Sequence, residues 1–178
     1  DFMRIFLDAG HGGTNPGAIG VNGLKESEVT LDVALRCGRI LQSQGYTVNY
    51  SRTSDVNVSL AERARLANLW GADYFVSIHC NSNTNPIYKG TESFFYRAGS
   101  VAEDFALVVN TALVDAINTR DLGVFSANFA VLRLTRMPAI LVELAFLSNP
   151  EEAELLSQST FRQKCAEGIA RGIVDFTS

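Results

Sequence analysis

The sequence is poor in several residue types that would point directly to a class of protein. Its 178 residues include three cysteines, two histidines and one tryptophan. Three is an odd number for a disulfide framework, and no two of the cysteines have a CxxC spacing. Cys37 and Cys165 each fall on a helical stripe of apolar residues, which predicts that both are core residues. The cysteines therefore give no indication of a disulfide-rich domain.

Long apolar runs and clusters of basic residues are also missing. No stretch approaches the roughly 18 apolar residues of a membrane span, and no charged leader precedes an apolar segment at the start. The net charge is −4, and the 15 Lys and Arg residues are scattered, unlike the basic surface of a nucleic-acid-binding domain. We therefore expect neither a membrane span nor a nucleic-acid partner, and we interpret residues 1–178 as one domain excised from a larger or secreted chain.

What the sequence does contain is enough apolar residues for one hydrophobic core. Hydrophobic residues make up 47% of the chain. A domain of this length buries about 70% of the surface that its unfolded chain exposes. We expect a single, monomeric domain that needs no disulfide bonds.

Strand-like and helix-like segments alternate along the chain, which is typical of α/β domains. Helical periodicity and capping signals predict helices at 28–44, 59–71, 100–118 and 161–176, and another that begins at 148–151. Apolar or alternating runs predict strands at 3–9, 46–51, 74–81, 90–97 and 139–143. Segment 124–133 is ambiguous between a short strand and a loop. We predict three layers, with a mostly parallel, twisted sheet, helices on both faces and 90–97 as a candidate antiparallel edge strand.

Both histidines and one glutamate stand at the ends of apolar runs. His11 follows the first run, His79 ends the run that begins at Tyr74, and Glu143 ends a third run. In a sheet of neighbouring parallel strands, the carboxyl ends meet at one edge, where such folds keep their ligands. Imidazoles and carboxylates are suitable ligands for a catalytic zinc ion, which commonly takes three protein ligands and leaves one position for water. The sequence therefore predicts a metal site at this edge.

A glycine-containing loop, residues 10–23, separates His11 from two further carboxylates. Either Glu26 or Glu28 could lie beside His11 at the entrance to the first helix, and the residues alone do not decide between them. The loop lacks the GxxxxGK[ST] and GxGxxG patterns, so a nucleotide-phosphate cradle is disfavoured. An ordinary mobile loop is the other interpretation of its glycines.

Cys80 and Asn81 directly follow His79. Adjacent strand residues point to opposite faces, which disfavours a Cys-His nucleophilic pair between Cys80 and His79. Asn81 could orient a substrate or cap the chain where the strand ends.

Three charged residues near the site have weaker interpretations. Arg133 could bind a peptide carboxylate through its bidentate fork, or be a solvated surface charge. Asp8 could hold the ring of a ligand histidine. Arg63 lies in the first turns of a capped helix, which favours a structural ion pair.

Several segments carry a resemblance to a known family. The main ones are Asp8-Ala9-Gly10-His11-Gly12-Gly13 with Pro16-Gly17-Ala18, Glu26-Ser27-Glu28-Val29-Thr30-Leu31, Ser77-Ile78-His79-Cys80-Asn81 and Leu141-Val142-Glu143-Leu144-Ala145-Phe146-Leu147-Ser148-Asn149. Lesser matches are Ser51-Arg52-Thr53, Ser59-Leu60-x-x-Arg63 and Val131-Leu132-Arg133. Together these segments resemble the catalytic domains of zinc-dependent N-acetylmuramoyl-L-alanine amidases over nearly the whole chain. The chain departs from the usual family pattern at Ala9, Cys80, Ser82 and Leu144-Ala145, but none of these departures removes a ligand or the base.

The resemblance implies roles for four residues. His11, Glu26 and His79 match the zinc ligands of the family, which favours Glu26 over Glu28, and Glu143 matches its catalytic glutamate. One Zn²⁺ per chain would lower the pKa of a water molecule to about 7 and polarise an amide carbonyl. Glu143 would take a proton from that water and deliver it to the leaving amine.

The resemblance also implies a substrate and a location. The expected reaction is hydrolysis of the amide bond between N-acetylmuramic acid and L-alanine in peptidoglycan, which releases stem peptides. We expect a secreted autolysin that acts in the cell wall or periplasm, with wall-targeting domains outside this fragment. Two alternatives are a zinc exopeptidase of similar architecture and a silent wall-binding module with a structural metal. An intact Glu143 and an open fourth position argue against the module, because structural zinc sites fill all four positions with protein ligands.

Overall fold

The computed structural model describes residues 3–178, which form six strands and six helices. In chain order they are β1 (Arg4–Ala9), α1 (Glu26–Ser43), β2 (Thr47–Tyr50), α2 (Leu60–Trp70), β3 (Tyr74–Asn81), β4 (Thr91–Phe95), α3 (Val101–Ile117), β5 (Asp121–Ser126), α4 (Ala130–Arg133), β6 (Ala139–Phe146), α5 (Pro150–Leu156) and α6 (Ser159–Thr177). Within residues 3–178, none of the helices has the length and apolar character needed to cross a bilayer.

All six strands belong to one sheet with the order β2-β1-β3-β6-β4-β5. Strands β1, β2, β3 and β6 are parallel, whereas β4 runs antiparallel to β6 and parallel to β5. The predicted α/β class and mostly parallel sheet are confirmed. The prediction that 90–97 lies at the edge is wrong, because β5 pairs with the outer side of β4 and becomes the antiparallel edge strand.

The two faces of the sheet are covered by different helices. We call one the three-helix face, where Ile5, Val76 and Ile140 pack with residues of α1, α3 and α6 in the larger core. We call the other the cleft face, where Phe6, Phe75, Ala139 and Leu141 pack with residues of α2 and α4. Because side chains alternate along a strand, Asp8, Ser77, His79, Glu92 and Glu143 also project from the cleft face. The polar candidates therefore share one side of the sheet with a smaller, aromatic core.

The capping signals predict the boundaries of α2 and α3 well. The Ser59 hydroxyl accepts a hydrogen bond from the Glu62 N–H at the start of α2, and Gly71 ends that helix in the left-handed region with φ +76°. Ser100 caps α3 in the same way by accepting from the Glu103 N–H. These local hydrogen bonds place the helix ends without help from distant residues.

Helix α1 begins two residues earlier than the predicted Glu28. Its N-cap residue, Lys25, makes no side-chain cap hydrogen bond. Instead the Glu26 N–H donates to the Ala18 carbonyl and the Ser27 N–H donates to the Pro16 carbonyl. The loop before α1 therefore satisfies the first N–H groups of the helix, a tertiary cap that local sequence patterns do not reveal.

The region after α3 also differs from the prediction. The ambiguous segment 124–133 contains the end of β5 and the single-turn helix α4, which is too short to show a helical period. Strand β6 continues beyond the predicted end at Glu143 to Phe146. Leu144 and Ala145 are fully buried, so the glutamate lies within a core strand and does not end it.

Candidate metal centre and active site

The loop between β1 and α1 places His11 beside the carboxyl ends of the central strands. His11 has φ +65°, a left-handed conformation that non-glycine residues rarely adopt. The guanidinium of Arg63 donates a 2.7 Å hydrogen bond to the His11 carbonyl, which helps to hold this backbone. The prediction that Arg63 forms a structural ion pair is confirmed, because its Nη1 lies 2.8 Å from Asp8 Oδ1 and both side chains are buried.

Two glycines leave space for the ligand side chains. A Cβ atom at Gly10 would lie 2.5 Å from the His79 ring, and one at Gly17 would lie 2.6 Å from both Glu26 Oε1 and the His11 ring. Gly17 also has φ +72°. The loop thus packs closely around the candidate site, and at these two positions any side chain would displace a ligand.

Three predicted ligands meet at one point. Glu26 Oε2 lies 3.2 Å from His11 Nε2 and 3.2 Å from His79 Nδ1. The three donor atoms lie within 4.8 Å of one another. The structure therefore brings together His11, Glu26 and His79. In the sequence, Glu26 lies 15 positions after His11, and His79 lies 53 positions after Glu26. Two imidazole nitrogens and one carboxylate oxygen could hold one metal ion.

The carboxylate of Glu26 is held in its charged form. Burial alone would raise the pKa of Glu26, but hydrogen bonds with His11 and His79, the charge of His79 and the Ala18 N–H outweigh burial and lower that pKa. The Ala18 N–H donates to Oε1 at 2.9 Å and the Cys80 N–H donates to Oε2 at 3.0 Å. The hydrogen bond with Glu26 in turn raises the pKa of His11. The charged carboxylate of Glu26 thus favours a positive charge beside it, so His11, Glu26 and His79 form a suitable site for a cation.

Glu143 lies across from His79 on the neighbouring strand β6. Its Oε2 atom is buried and has no hydrogen-bond partner within residues 3–178. Burial, and then the negative charges of Glu26 and Glu92, raise the pKa of Glu143 well above its ordinary value. A carboxyl group with a raised pKa binds a proton more strongly than an ordinary carboxylate does, which suits a group that must accept a proton and later give it up.

A cleft of about 270 Å³ runs over Glu143 and both histidines. Its apolar walls come from Leu60 at the start of α2 and from Phe129, Ala130 and Val131 at the start of α4. Sequence analysis did not assign these wall residues to the site. The one signal in the sequence for such a role is that Leu60 and Val131 lie in segments that carry the family resemblance.

Glu92 is a second carboxylate that sequence analysis missed. It pairs with Glu143 in the register of β4 and β6, and it accepts a hydrogen bond from Asn81 Nδ2. The other side-chain atom of Asn81, Oδ1, accepts from the Ser82 N–H. Asn81 therefore caps the end of β3, one of the two roles considered for it, and connects that strand to Glu92.

Arg133 lies away from the metal cluster. It is exposed, donates a hydrogen bond to Asn128, and lines a separate cavity of about 360 Å³ with Arg97 and Arg136. Helix α4 borders both spaces, because Leu132 lines this cavity and Val131 lines the cleft. The structure therefore does not place Arg133 beside the predicted ligands.

Cys37 and Cys165 have the buried positions predicted for core residues, and Cys80 is buried as well. All three are buried and free, and Cys37, Cys80 and Cys165 belong to the core of the three-helix face. Burial raises the pKa of the Cys80 thiol well above its ordinary value. Cys80 thus points away from the His79 side chain, and the disfavoured Cys-His pair is not formed.

Comparisons with known proteins point to one family. A family model described as N-acetylmuramoyl-L-alanine amidase matches residues 5–175. A sporulation-specific N-acetylmuramoyl-L-alanine amidase of Bacillus subtilis (strain 168) is 41% identical over 174 residues, which are 96% of this chain and 67% of the relative. This chain thus spans about two thirds of the length of that relative.

Solved structures with the same fold carry similar descriptions. An N-acetylmuramoyl-L-alanine amidase from Clostridium difficile 630 superimposes with a TM-score of 0.94 and 34% identity, over 98% of this chain and 96% of that one. The catalytic domain of the amidase CwlV from Bacillus (Paenibacillus) polymyxa var. colistinus also gives a TM-score of 0.94 and 34% identity, with 98% of each chain covered.

Proposed function

The chain belongs to the N-acetylmuramoyl-L-alanine amidase family, and on this premise we propose that it is a zinc-dependent enzyme of peptidoglycan. The reaction is hydrolysis of the amide bond that joins N-acetylmuramic acid to L-alanine, with release of the stem peptide. The substrate lies in the cell wall, so the proposed place of action is extracytoplasmic. We propose that the enzyme works there as a monomer.

One observation carries this proposal. His11 Nε2, Glu26 Oε2 and His79 Nδ1 converge at the end of the sheet where the buried, unpaired Oε2 atom of Glu143 also lies. The donor set is that of a catalytic zinc site, with two neutral imidazoles and one carboxylate. A carboxylate near the ligands but outside the ligand set is what amide hydrolysis needs for proton transfer.

A zinc ion, when bound, supplies a water molecule of lowered pKa and polarises the carbonyl of the amide. His11, Glu26 and His79 would hold this ion. The Ala18 and Cys80 N–H groups hold the Glu26 carboxylate in place, so the oxygen shared by both histidines keeps its position.

Glu143 moves the proton in the proposed mechanism. Its Oε2 takes a proton from the attacking water and delivers it to the nitrogen of the leaving alanine. Burial and the negative charges of Glu26 and Glu92 raise the pKa of Glu143, which strengthens its carboxylate as an acceptor of that proton. General acid and base catalysis of this kind is worth about 10²–10⁴-fold in rate.

The cleft walls orient the substrate and exclude water. Leu60 on one side and Phe129 to Val131 on the other would pack against apolar parts of the substrate around the scissile amide. We retain Arg133 as an outer contact for a carboxylate of the stem peptide, which must then extend past α4. Asn81 acts indirectly, through its hydrogen bond to Glu92.

Product analysis tests the proposed bond. Digestion of purified peptidoglycan by the zinc-loaded protein should expose new alanine amino groups without new reducing sugar ends. Release of single amino acids would instead indicate a zinc exopeptidase. A protein that binds zinc but releases neither product would be a wall-binding module, and the proposed reaction would be wrong.

A further inference from the structure

A buried chain of hydrogen bonds connects Asp8 to His79. The Ser77 hydroxyl lies 2.7 Å from Asp8 Oδ2 and 2.9 Å from His79 Nε2. Ser77 is fully buried and Asp8 is 1% exposed. Asp8 therefore reaches the ring of His79 through Ser77, which is one way to fill the role considered for it from the sequence, that of holding the ring of a ligand histidine.

Asp8 can only accept hydrogen bonds in this chain. Burial opposes its charge, but Arg63 and the hydroxyls of Ser77 and Ser51 outweigh burial and lower the pKa of Asp8. The ion pair with Arg63, at 2.8 Å, shows the partner that balances this charge. An ionised carboxylate has no hydrogen to give.

The positions of the hydrogens in the chain follow from this. A serine hydroxyl has one hydrogen, and Ser77 must donate it to Asp8. The contact between Ser77 and His79 then requires His79 Nε2 to be the donor. A neutral imidazole carries one N–H, so Nδ1 of His79 is left with a free lone pair.

That free nitrogen is the one that faces the metal cluster. His79 Nδ1 lies 3.2 Å from Glu26 Oε2, so either a hydrogen or a cation must stand between these two atoms. A neutral ring with its hydrogen on Nε2 leaves that place to the metal ion. His11 has the opposite arrangement, because its Nε2 faces Glu26 and its Nδ1 lies 3.2 Å from Asn15 Oδ1. The two histidines thus offer different ring nitrogens to the same point.

We propose that Ser77 is a positioning residue that, with Asp8 behind it, fixes the Nε2–H tautomer of His79 and so presents Nδ1 to the metal. This inference rests on the zinc-dependent function proposed above and assigns the groups that prepare one of its ligands. Loss of the Ser77 hydroxyl would leave the ring without its acceptor and free to rotate or to change tautomer. Groups that orient metal-bound histidines in this way typically change metal affinity by about 10–100-fold.

Ser51 provides a matched control for Ser77. Both are buried serines whose hydroxyls donate a 2.7 Å hydrogen bond to Asp8, Ser51 to Oδ1 and Ser77 to Oδ2. Within residues 3–178, the Ser51 hydroxyl forms its hydrogen bond with Asp8, whereas the Ser77 hydroxyl bonds both Asp8 and His79. Ser77→Ala and Ser51→Ala therefore remove the same kind of bond to the same carboxylate and differ in their effect on the imidazole.

Zinc affinity, measured by competition with a chelator, separates these effects. Ser77→Ala should weaken zinc binding by about 10–100-fold, and Ser51→Ala should keep the affinity of the wild type. Thermal unfolding of the zinc-free variants should show similar losses of stability for both. Wild-type affinity in Ser77→Ala, or an equal loss in Ser51→Ala, would overturn the role of Ser77.

The tautomers can be read directly by NMR, without any activity measurement. Since the chain has two histidines, a two-bond ¹H–¹⁵N spectrum of the zinc-loaded protein contains two imidazoles. One ring should carry its hydrogen on Nδ1 and the other on Nε2. Two rings protonated at the same nitrogen would overturn the inference. If the wild type binds no zinc, the metal centre itself is wrong, whereas normal binding with the wrong tautomer refutes only the role of Ser77.

Discussion

The two faces of the sheet use neighbouring residues of the same strands for opposite purposes. On β3, Ile78 and Cys80 pack into the core beneath α1, α3 and α6, while His79 between them projects into the cleft. On β6, Val142 and Leu144 are fully buried in the same core, and Glu143 between them faces the cleft. The three-helix face is thus apolar at these positions, while the cleft face carries the titratable groups.

The difference between the faces shows why stability and chemistry can be separated in this fold. At one end of the cleft face, Phe6 stacks on Phe75 with ring centroids 5.6 Å apart. At the other end the apolar side chains give way to Asp8, His79 and Glu143. A substitution should thus affect either folding or catalysis according to the face on which it lies, even when two positions are adjacent in sequence.

The strongest test compares the adjacent residues His79 and Cys80. His79→Ala removes a proposed metal ligand and should lose both zinc and activity, because two remaining donors hold the ion weakly. Cys80→Ala changes a side chain of the three-helix face and should keep about one zinc per chain with a loss of stability of about 1 kcal/mol. Metal analysis and peptidoglycan digestion measure both. Stoichiometric zinc in the His79 variant would rule it out as a ligand.

The second test removes the proposed base but keeps the proposed ligands. Glu143→Ala should retain about one zinc per chain and lose activity by at least the 10²–10⁴-fold that general acid and base catalysis supplies. The exposed carboxylate of Glu151 offers a control, since Glu151→Ala should leave both quantities unchanged. An active Glu143 variant would show that another group transfers the proton.

The third test compares a core residue with a cleft wall. Phe105 is fully buried against Tyr74 and Phe176, with ring centroids 4.9 and 5.2 Å away, so Phe105→Ala should cost about 3–5 kcal/mol. Each kcal/mol lowers the Tm of a domain of this size by roughly 2–4 °C. Leu60 is 57% exposed, and Leu60→Ala should change stability by less than about 0.5 kcal/mol. Only the Leu60 variant should have altered turnover at a temperature where both are folded.

The smallest expected effect concerns the stability of the zinc-free protein. The pKa of Glu143 is raised on folding. Its contribution to the free energy of unfolding is therefore fully present below the pKa of the unfolded state, near 4.5, and is lost as pH rises through the pKa of the folded state. Glu143→Gln removes this titration. The Tm of the variant relative to wild type should therefore increase from about pH 4.5 to pH 8. A Tm difference that does not depend on pH would contradict the raised pKa.

Much of this arrangement could be predicted where the signals are local. The capping boxes at Ser59 and Ser100 placed α2 and α3, and the apolar run at Tyr74 placed β3. The ends of parallel strands also predicted that His11 and His79 would meet, but the choice of Glu26 over Glu28 depended on the family resemblance. In the structure Glu26 is the first residue of α1, and no local capping signal shows this early helix start.

Other features depend on pairings between distant segments and could not be predicted. The position of β4 inside the sheet depends on β5, whose residues have an ambiguous pattern. Glu92 is near Glu143 only because of the antiparallel register of β4 and β6. Phe129, in the cleft wall, is the N-cap residue of a single-turn helix. In the sequence it cannot be distinguished from other partly exposed apolar residues, so its place in the cleft could not be predicted.

Ala18 and Glu26 hold each other by two reciprocal hydrogen bonds, from each backbone N–H to an oxygen of the other residue. The residues between them thus form a closed ring, which Asn22 fastens to the Ala153 carbonyl. An insertion in this ring would shift the Glu26 carboxylate and the first turn of α1 together. Loop grafting that aims to change the cell-wall substrate should therefore leave residues 16–26 intact. It should begin with segment 82–88, which is exposed.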